Sequence, residues 1–281
     1  MASVLRVSTR NARFQQWEAL LSNRAKRQRT GEFLVQGVRP ITLAARHGWR
    51  FRALIYDAGR PLSQWARALL RDVPAIKVSM APALLAELGE KEEGSPELVA
   101  VVEMPGDGLH RIEAGHDFLG VLLDRPASPG NVGSIIRSAD ALGAHGVIVA
   151  GHAADVYDPR CVRASTGSLF TLPVIRTPGP GEVAAWVTAL RARGCPIVLA
   201  ATDERGDRDV FDFDFTQPVL LLAGNEGTGL SAAWRELSDV VVSIPMAGAA
   251  SSLNAANAAS IFLYEASRQR RPARKRPRLN S

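Results

Sequence analysis

Two cysteines in 281 residues, Cys161 and Cys195, leave no disulfide framework. They fit a reducing, cytoplasmic setting in which both thiols are structural. Long apolar runs are missing as well. Stretches such as Val219 to Ala223 fall far short of the ~20 residues a membrane helix needs, and the opening Met1-Ala2-Ser3-Val4-Leu5-Arg6 lacks the apolar core of a secretory signal. No His or Cys cluster has metal-ligand spacing, so no metal is expected. His47, His110, His116, His145 and His152 are scattered near turns and read as structural or surface residues. Neither a Walker loop nor a G-x-G-x-x-G fingerprint is present. What is present is ordinary globular composition, 46% hydrophobic and 22% charged. That excludes long disorder, a collagen-like chain and a coiled coil.

The net charge of +6 conceals an asymmetry. Residues 1–31 carry seven basic side chains (Arg6, Arg10, Arg13, Arg24, Lys26, Arg27, Arg29) against Glu18 alone. Residues 268–281 carry seven more and no acid, so the body between is mildly acidic. Two cationic ends point to polyphosphate, bound through counterion release. Arginine predominates, and its planar fork grips phosphate at two points. Arg10, Arg13, Arg24, Lys26, Arg27 and Arg29 of this arm, with Arg39 beyond it, are the candidate nucleic-acid contacts. Phe14 and Trp17 either stack on bases or form the apolar face of a short helix.

Between residues 32 and 103 short apolar runs alternate with helix-like stretches, the signature of a small α/β unit. Residues 104–117, rich in Gly and Pro, read as a linker. A second α/β run fills 118–270, with strands predicted near 118–123, 146–150, 172–175, 196–201, 219–223 and 240–244. A basic tail, 271–281, follows.

Ligands of open α/β sheets bind beyond the carboxyl ends of strands, so the loops after strands carry the functional information. Three stand out. In Asp124-Arg125-Pro126-Ala127-Ser128-Pro129-Gly130-Asn131-Val132-Gly133, the glycines admit a close ligand and Asn131 is placed to cap a helix that carries Arg137. In Gly224-Asn225-Glu226-Gly227-Thr228-Gly229-Leu230-Ser231, a carboxylate in a glycine-rich turn argues against a phosphate cradle and suits a cation, a hydroxyl or nearby amides. In Ile244-Pro245-Met246 through Ser252-Leu253-Asn254, a loop of small residues leads to an alanine-rich helix with a serine cap.

The ordered set P-G-N-x-G-x-x-x-R, G-N-E-G-x-G-L-S and I-P-M…S-L-N resembles the SpoU family of ribose 2′-O-methyltransferases in the SPOUT superfamily, over roughly 118–270. The region upstream resembles the ribosomal-protein-like RNA-binding domain that often precedes it. The stretches 11–17, 146–170 and 251–257 are similar to family members that methylate a uridine ribose in 23S rRNA and confer resistance to avilamycin-type antibiotics. Ala255 departs from the common valine, a small apolar change.

The resemblance implies an α/β fold whose C-terminal parallel sheet is tied in a deep trefoil knot. It also implies a homodimer and S-adenosylmethionine (AdoMet) as cofactor. The implied cofactor set is Leu222, Gly224, Asn225, Gly229, Ile244, Met246 and Leu253, and the implied catalytic set is Arg137, Asn131, Glu226, Ser252 and Asn254. A guanidinium stays protonated in proteins, so Arg137 is expected to clamp phosphate and stabilise the developing alkoxide rather than act as base. Three other readings remain: a tRNA 2′-O-methyltransferase, a non-catalytic RNA-binding assembly protein, and a Rossmann-type nucleotide enzyme. The intact polar set counts against the second, and the carboxylate in the glycine loop against the third.

Overall fold

The computed structural model describes residues 4–89 and 95–271, which divide into two units. The first comprises residues up to Gly106 together with Asp155–Thr171. Its strands are β1 (Leu5–Val7), β2 (Glu32–Gln36), β3 (Phe51–Asp57), β4 (Ile76–Met80) and β5 (Leu98–Glu103). They form one sheet in the order β1-β4-β3-β5-β2, with β1, β4 and β3 parallel and β5 antiparallel to both β3 and β2. Its helices are α1 (Ala12–Ser22), α2 (Arg24–Thr30), α3 (Val38–Arg46), α4 (Gln64–Asp72) and α5 (Pro82–Leu88).

The stretch read as a basic arm is therefore folded. Asn11 caps α1 by accepting from the Phe14 amide at 3.0 Å, and Asn23 caps α2 from the Lys26 amide at 2.9 Å. Phe14 and Leu20 are buried in the unit's core with Val7, Ile55, Val78 and Leu85. Of the two roles open to Phe14, the structure assigns the apolar helix face.

The second unit, Asp107–Ala154 with Leu172 onward, holds a seven-stranded sheet. Its strands are β6 (Leu119–Asp124), β7 (Gly146–Ala150), β8 (Val174–Thr177), β9 (Val198–Thr202), β10 (Arg208–Asp209), β11 (Val219–Ala223) and β12 (Val240–Ser243). The order is β10-β12-β9-β11-β6-β7-β8 and every pairing is parallel. Near-continuous apolar strands such as β11 are the expected composition of a sheet buried on both faces. Helices α6 (Pro129–Ala141), α8 (Pro180–Ala192), α9 (Ala232–Leu237) and α10 (Ala255–Arg270) complete the unit.

Helix α7 (Pro159–Ala164) belongs to the first unit although the chain on either side of its segment belongs to the second. The partners of the segment explain this. Tyr157 and Phe170 pack on Phe33, with ring centroids 4.7 and 6.2 Å away, and the Trp49 indole donates to the Phe170 carbonyl at 3.1 Å. The expected linker also has structure. Leu109–Arg111 make a 3₁₀ turn, Ile112 is buried in the core of the second unit, and Asp107 receives the Arg176 guanidinium at 2.6 Å.

Among the described residues no helix is long and apolar enough to cross a membrane, and no group of His, Cys, Asp or Glu is arranged to hold a metal. Both cysteines are free and buried, and burial pushes both thiols up from their ordinary value.

Candidate active site

The carboxyl ends of the parallel strands β9, β11 and β12 open onto a cavity of about 410 Å³ that β6 also lines. Val121 and Leu221, directly paired across β6 and β11, supply its floor. Gly224, Asn225 and Gly229 line it from the loop after β11, and Ile244, Met246 and Leu253 from the loop after β12. Six of the seven residues expected to hold a cofactor are thus brought together. Leu222 is not. It is fully buried in the core on the other side of the sheet. Side chains alternate along a strand, so Leu221 and Ala223 face the cavity in its place.

Glycine is required at position 224 by contact. A Cβ built there lies 2.3 Å from the Gly229 carbonyl carbon and the Leu230 nitrogen, because the loop folds back on itself. Asn225 and Gly229 close that fold with two backbone hydrogen bonds, 3.1 and 2.9 Å, and Gly229 has φ of +66°. The Asn225 amide donates to the Arg125 carbonyl at 2.7 Å, and the Ser231 amide donates to buried Asp124 at 2.8 Å. Arg125 itself sits at φ +49°, a conformation that costs a non-glycine residue roughly 1–3 kcal/mol and persists only where surroundings impose it.

Three of the five expected catalytic residues form one directed chain. Asn254 donates through its amide to the Asn131 side-chain oxygen at 3.2 Å. The Asn131 amide donates to Glu226 Oε1 at 3.1 Å, and Glu226 Oε2 accepts from the Ala127 amide, also at 3.1 Å. The direction is fixed at both ends. The Asn254 oxygen already caps α10, accepting from the amides of Ala256 and Asn257, and an ionised carboxylate can only accept. Withdrawing the Glu226 carboxylate from water would raise its pKa. The hydrogen bonds from Asn131 and from the backbone amides of Glu226, Ala127 and Ser128 outweigh this and hold it below the ordinary carboxylate range.

Two caps differ from expectation. Ser128, not Asn131, caps α6, accepting from the Asn131 amide at 3.3 Å, and this frees the Asn131 side chain to join Asn254 to Glu226. Asn254, not a serine, caps α10, so Ser252 is left exposed on the cavity wall. Arg137 stands on α6, exposed, outside the cavity lining and without a hydrogen bond or ion pair among the described residues.

Sequence reasoning did not single out Thr202, Asp203 and Glu204 at the end of β9, or Arg235 on α9, which also line the cavity. The position of Thr-Asp-Glu just past a predicted strand was the available signal. At the alanine-rich start of α10, Ala255, Ala258 and Ala259 line the wall.

The candidate RNA contacts divide sharply. Arg27 is 2% exposed. Its guanidinium bonds Asp155 at 2.8 Å and the carbonyls of Leu20 and Leu21 at 2.7 and 3.1 Å, so it holds the unit together and is not an RNA contact. Arg10 pairs with Glu18 and with Glu87 at 3.0 Å and covers the Phe14 ring. Arg39 donates to the Thr166 carbonyl at 3.2 Å. Arg24 and Lys26 are half-buried, whereas Arg13 and Arg29 are exposed. At the other end, Arg268 pairs with Glu265, and Arg270 donates to the carbonyls of Asp117, Phe118, Phe215 and Gln217. Neither of these two belongs to a free tail, and positions 272–281 lie outside the described residues.

An all-parallel sheet with a glycine-bounded cavity at its carboxyl edge, joined there by an amide–carboxylate chain, is an architecture for binding a small cofactor. The chain belongs to the SpoU rRNA methylase family, which matches residues 119–264, and a SpoU L30e-like domain matches residues 11–100. It is 71% identical over 265 residues to the 23S rRNA (uridine(2479)-2′-O)-methyltransferase of Streptomyces viridochromogenes, across 94% of this chain and 92% of that protein. The crystal structure of the SpoU methyltransferase AviRb from the same organism, in complex with AdoMet, superimposes with a TM-score of 0.90 at 72% identity, covering 93% of this chain and 98% of that one. An AdoMet-bound rRNA methyltransferase from Sinorhizobium meliloti gives 0.83 at 29% identity, covering 94% and 98%.

Proposed function

We propose that this chain transfers a methyl group from AdoMet to the ribose 2′-oxygen of a uridine in 23S rRNA. The observation that carries the reading is the cavity walled by Gly224, Ile244, Met246 and Leu253, bordered by the Asn254–Asn131–Glu226 chain. Small residues at the turns leave main-chain atoms uncovered on the wall, which suits a nucleoside held through main-chain groups. The space a Cβ at Gly224 would fill shows how closely the loop is folded there. When bound, AdoMet supplies a methyl group already activated on a sulfonium, so the protein has to provide alignment and charge stabilisation. Asn131 and Asn254, held by Glu226, fix the loops that border the cavity. Ser252 is free to orient the incoming ribose. In this reading Arg137, exposed, permanently charged and without a hydrogen bond or ion pair among the described residues, grips the adjoining phosphate and stabilises the oxygen as it loses its proton.

The same reading includes a homodimer, supported by Ile261 and Tyr264, which stand 37% and 60% exposed one turn apart on α10. That helix packs on α6 through a 2.8 Å contact between Ser138 and Ser260. The trefoil threading is supported by the strand order, in which β9 and β11 lie between β12 and β6. A cytoplasmic setting fits the two unlinked thiols, and resistance to an avilamycin-type antibiotic is the expected consequence for the host. Transfer of tritium from labelled AdoMet to 23S rRNA, with the site mapped by reverse-transcription stops at low dNTP, tests the reading. Label appearing in tRNA instead, or in neither RNA, overturns it.

A further inference from the structure

Four charged side chains line the cavity: Asp203, Glu204, Glu226 and Arg235. Three are committed. Arg235 bonds Asp203 at 3.1 Å and the Leu230 carbonyl, also at 3.1 Å, which ties the end of β9 to the loop after β11. The second Asp203 oxygen accepts from the Arg205 amide at 3.2 Å. Both Glu226 oxygens are occupied by Asn131 and Ala127. Glu204 has no hydrogen bond or ion pair among the described residues.

Asp203 and Arg235 cancel, so the remaining charge on the wall is negative. The cofactor inferred above carries an ammonium and a sulfonium against a single carboxylate, and a ribose with two hydroxyl donors. A carboxylate accepts hydrogen bonds only, and a charge-assisted bond is roughly twice as strong as a neutral one. Resting on the AdoMet reading, we propose that Glu204 is a cofactor-recognition residue: its carboxylate accepts hydrogen bonds from the donors of the methionine ammonium or of the ribose diol. Asp203 then acts as a positioning residue that keeps Arg235 from neutralising Glu204.

Titration calorimetry on the full chain without RNA tests this, using AdoMet, S-adenosylhomocysteine and 5′-methylthioadenosine. Glu204→Gln lowers affinity for the first two about tenfold, the value of one hydrogen bond to a charged group. Glu236→Gln, an exposed change outside the cavity, leaves both unaltered and controls for net charge. 5′-Methylthioadenosine has the ribose but no ammonium. An equal loss with it assigns the diol, and an unchanged affinity assigns the ammonium. Undiminished binding of all three by Glu204→Gln overturns the proposal, as does a loss confined to AdoMet, which would mark a distant field acting on the sulfonium. Failure of the unaltered chain to bind AdoMet overturns the proposed function as well, so the two readings fail in distinguishable ways.

Discussion

The two units set two of their arginines in opposite surroundings. The first buries an arginine at its centre, where Arg27, 2% exposed, meets Asp155 and two carbonyls, and it covers Arg10 with two carboxylates and a ring. The second leaves Glu204 at its cavity and Arg137 on α6 exposed and, among the described residues, unpaired, and it uses amides to brace the loops that border the cavity. A guanidinium with all its donors satisfied is part of the scaffold, and one with none satisfied is available to a substrate. The sequence presents Arg27 and Arg137 as equivalent cations in equivalent basic or glycine-rich contexts. Only the burial of one and the isolation of the other separates them.

The largest effect that would sharpen this contrast is structural. Arg27→Ala strands Asp155 in the core, so it lowers stability by about 3–5 kcal/mol, read by chemical denaturation. Arg27→Lys restores the charge but not the two-pronged geometry and recovers only part of the loss. A midpoint equal to that of the unaltered chain would break the comparison. Arg137→Ala is the converse: stability is unchanged and AdoMet still binds, while methyl transfer falls by about 10² or more. Undiminished turnover would remove Arg137 from the chemistry.

Smaller effects concern the surface. Arg13→Ala and Arg29→Ala each reduce the slope of log affinity for RNA against log salt by about 0.7–0.9 for every phosphate left unneutralised. Unaltered slopes would show these exposed arginines idle. The smallest effect is that of Glu226→Gln on thermal stability. The folded-state pKa of Glu226 lies below its ordinary value, so its contribution is complete at neutral pH and disappears as pH falls through the depressed value. The melting-temperature gap between Glu226→Gln and the unaltered chain should therefore close on acidification. A gap that does not narrow at all as pH falls through and below the ordinary carboxylate value would assign the effect to shape rather than charge.

Much of the fold was legible because period and punctuation agree. The strands 146–150 and 219–223 sit where apolar runs and breakers place them. The Gly224–Gly229 turn was legible for the same reason, since three glycines after a buried strand demand an unusual path. Three features were not. The chain from Asp155 to Thr171 reads locally like any αβ connection, and its membership of the first unit depends on Phe33, Trp49 and Arg27, more than a hundred residues away. The facing of Leu221 rather than Leu222 is a parity question within an uninterrupted apolar strand, which carries no alternation to decide it. The folded character of residues 5–30 was masked by charge, although Asn11 and Asn23 at spacing from Phe14 and Lys26 are ordinary caps.

The link from Asn254 to Asn131 spans 123 positions of chain. Until the last helix has docked, Asn131 lacks one of its two bracing neighbours and the cavity lacks a wall. A chain cut short before Asn254 therefore lacks both that bond and the wall that Ala255, Ala258 and Ala259 supply, and has no closed pocket for the methyl donor.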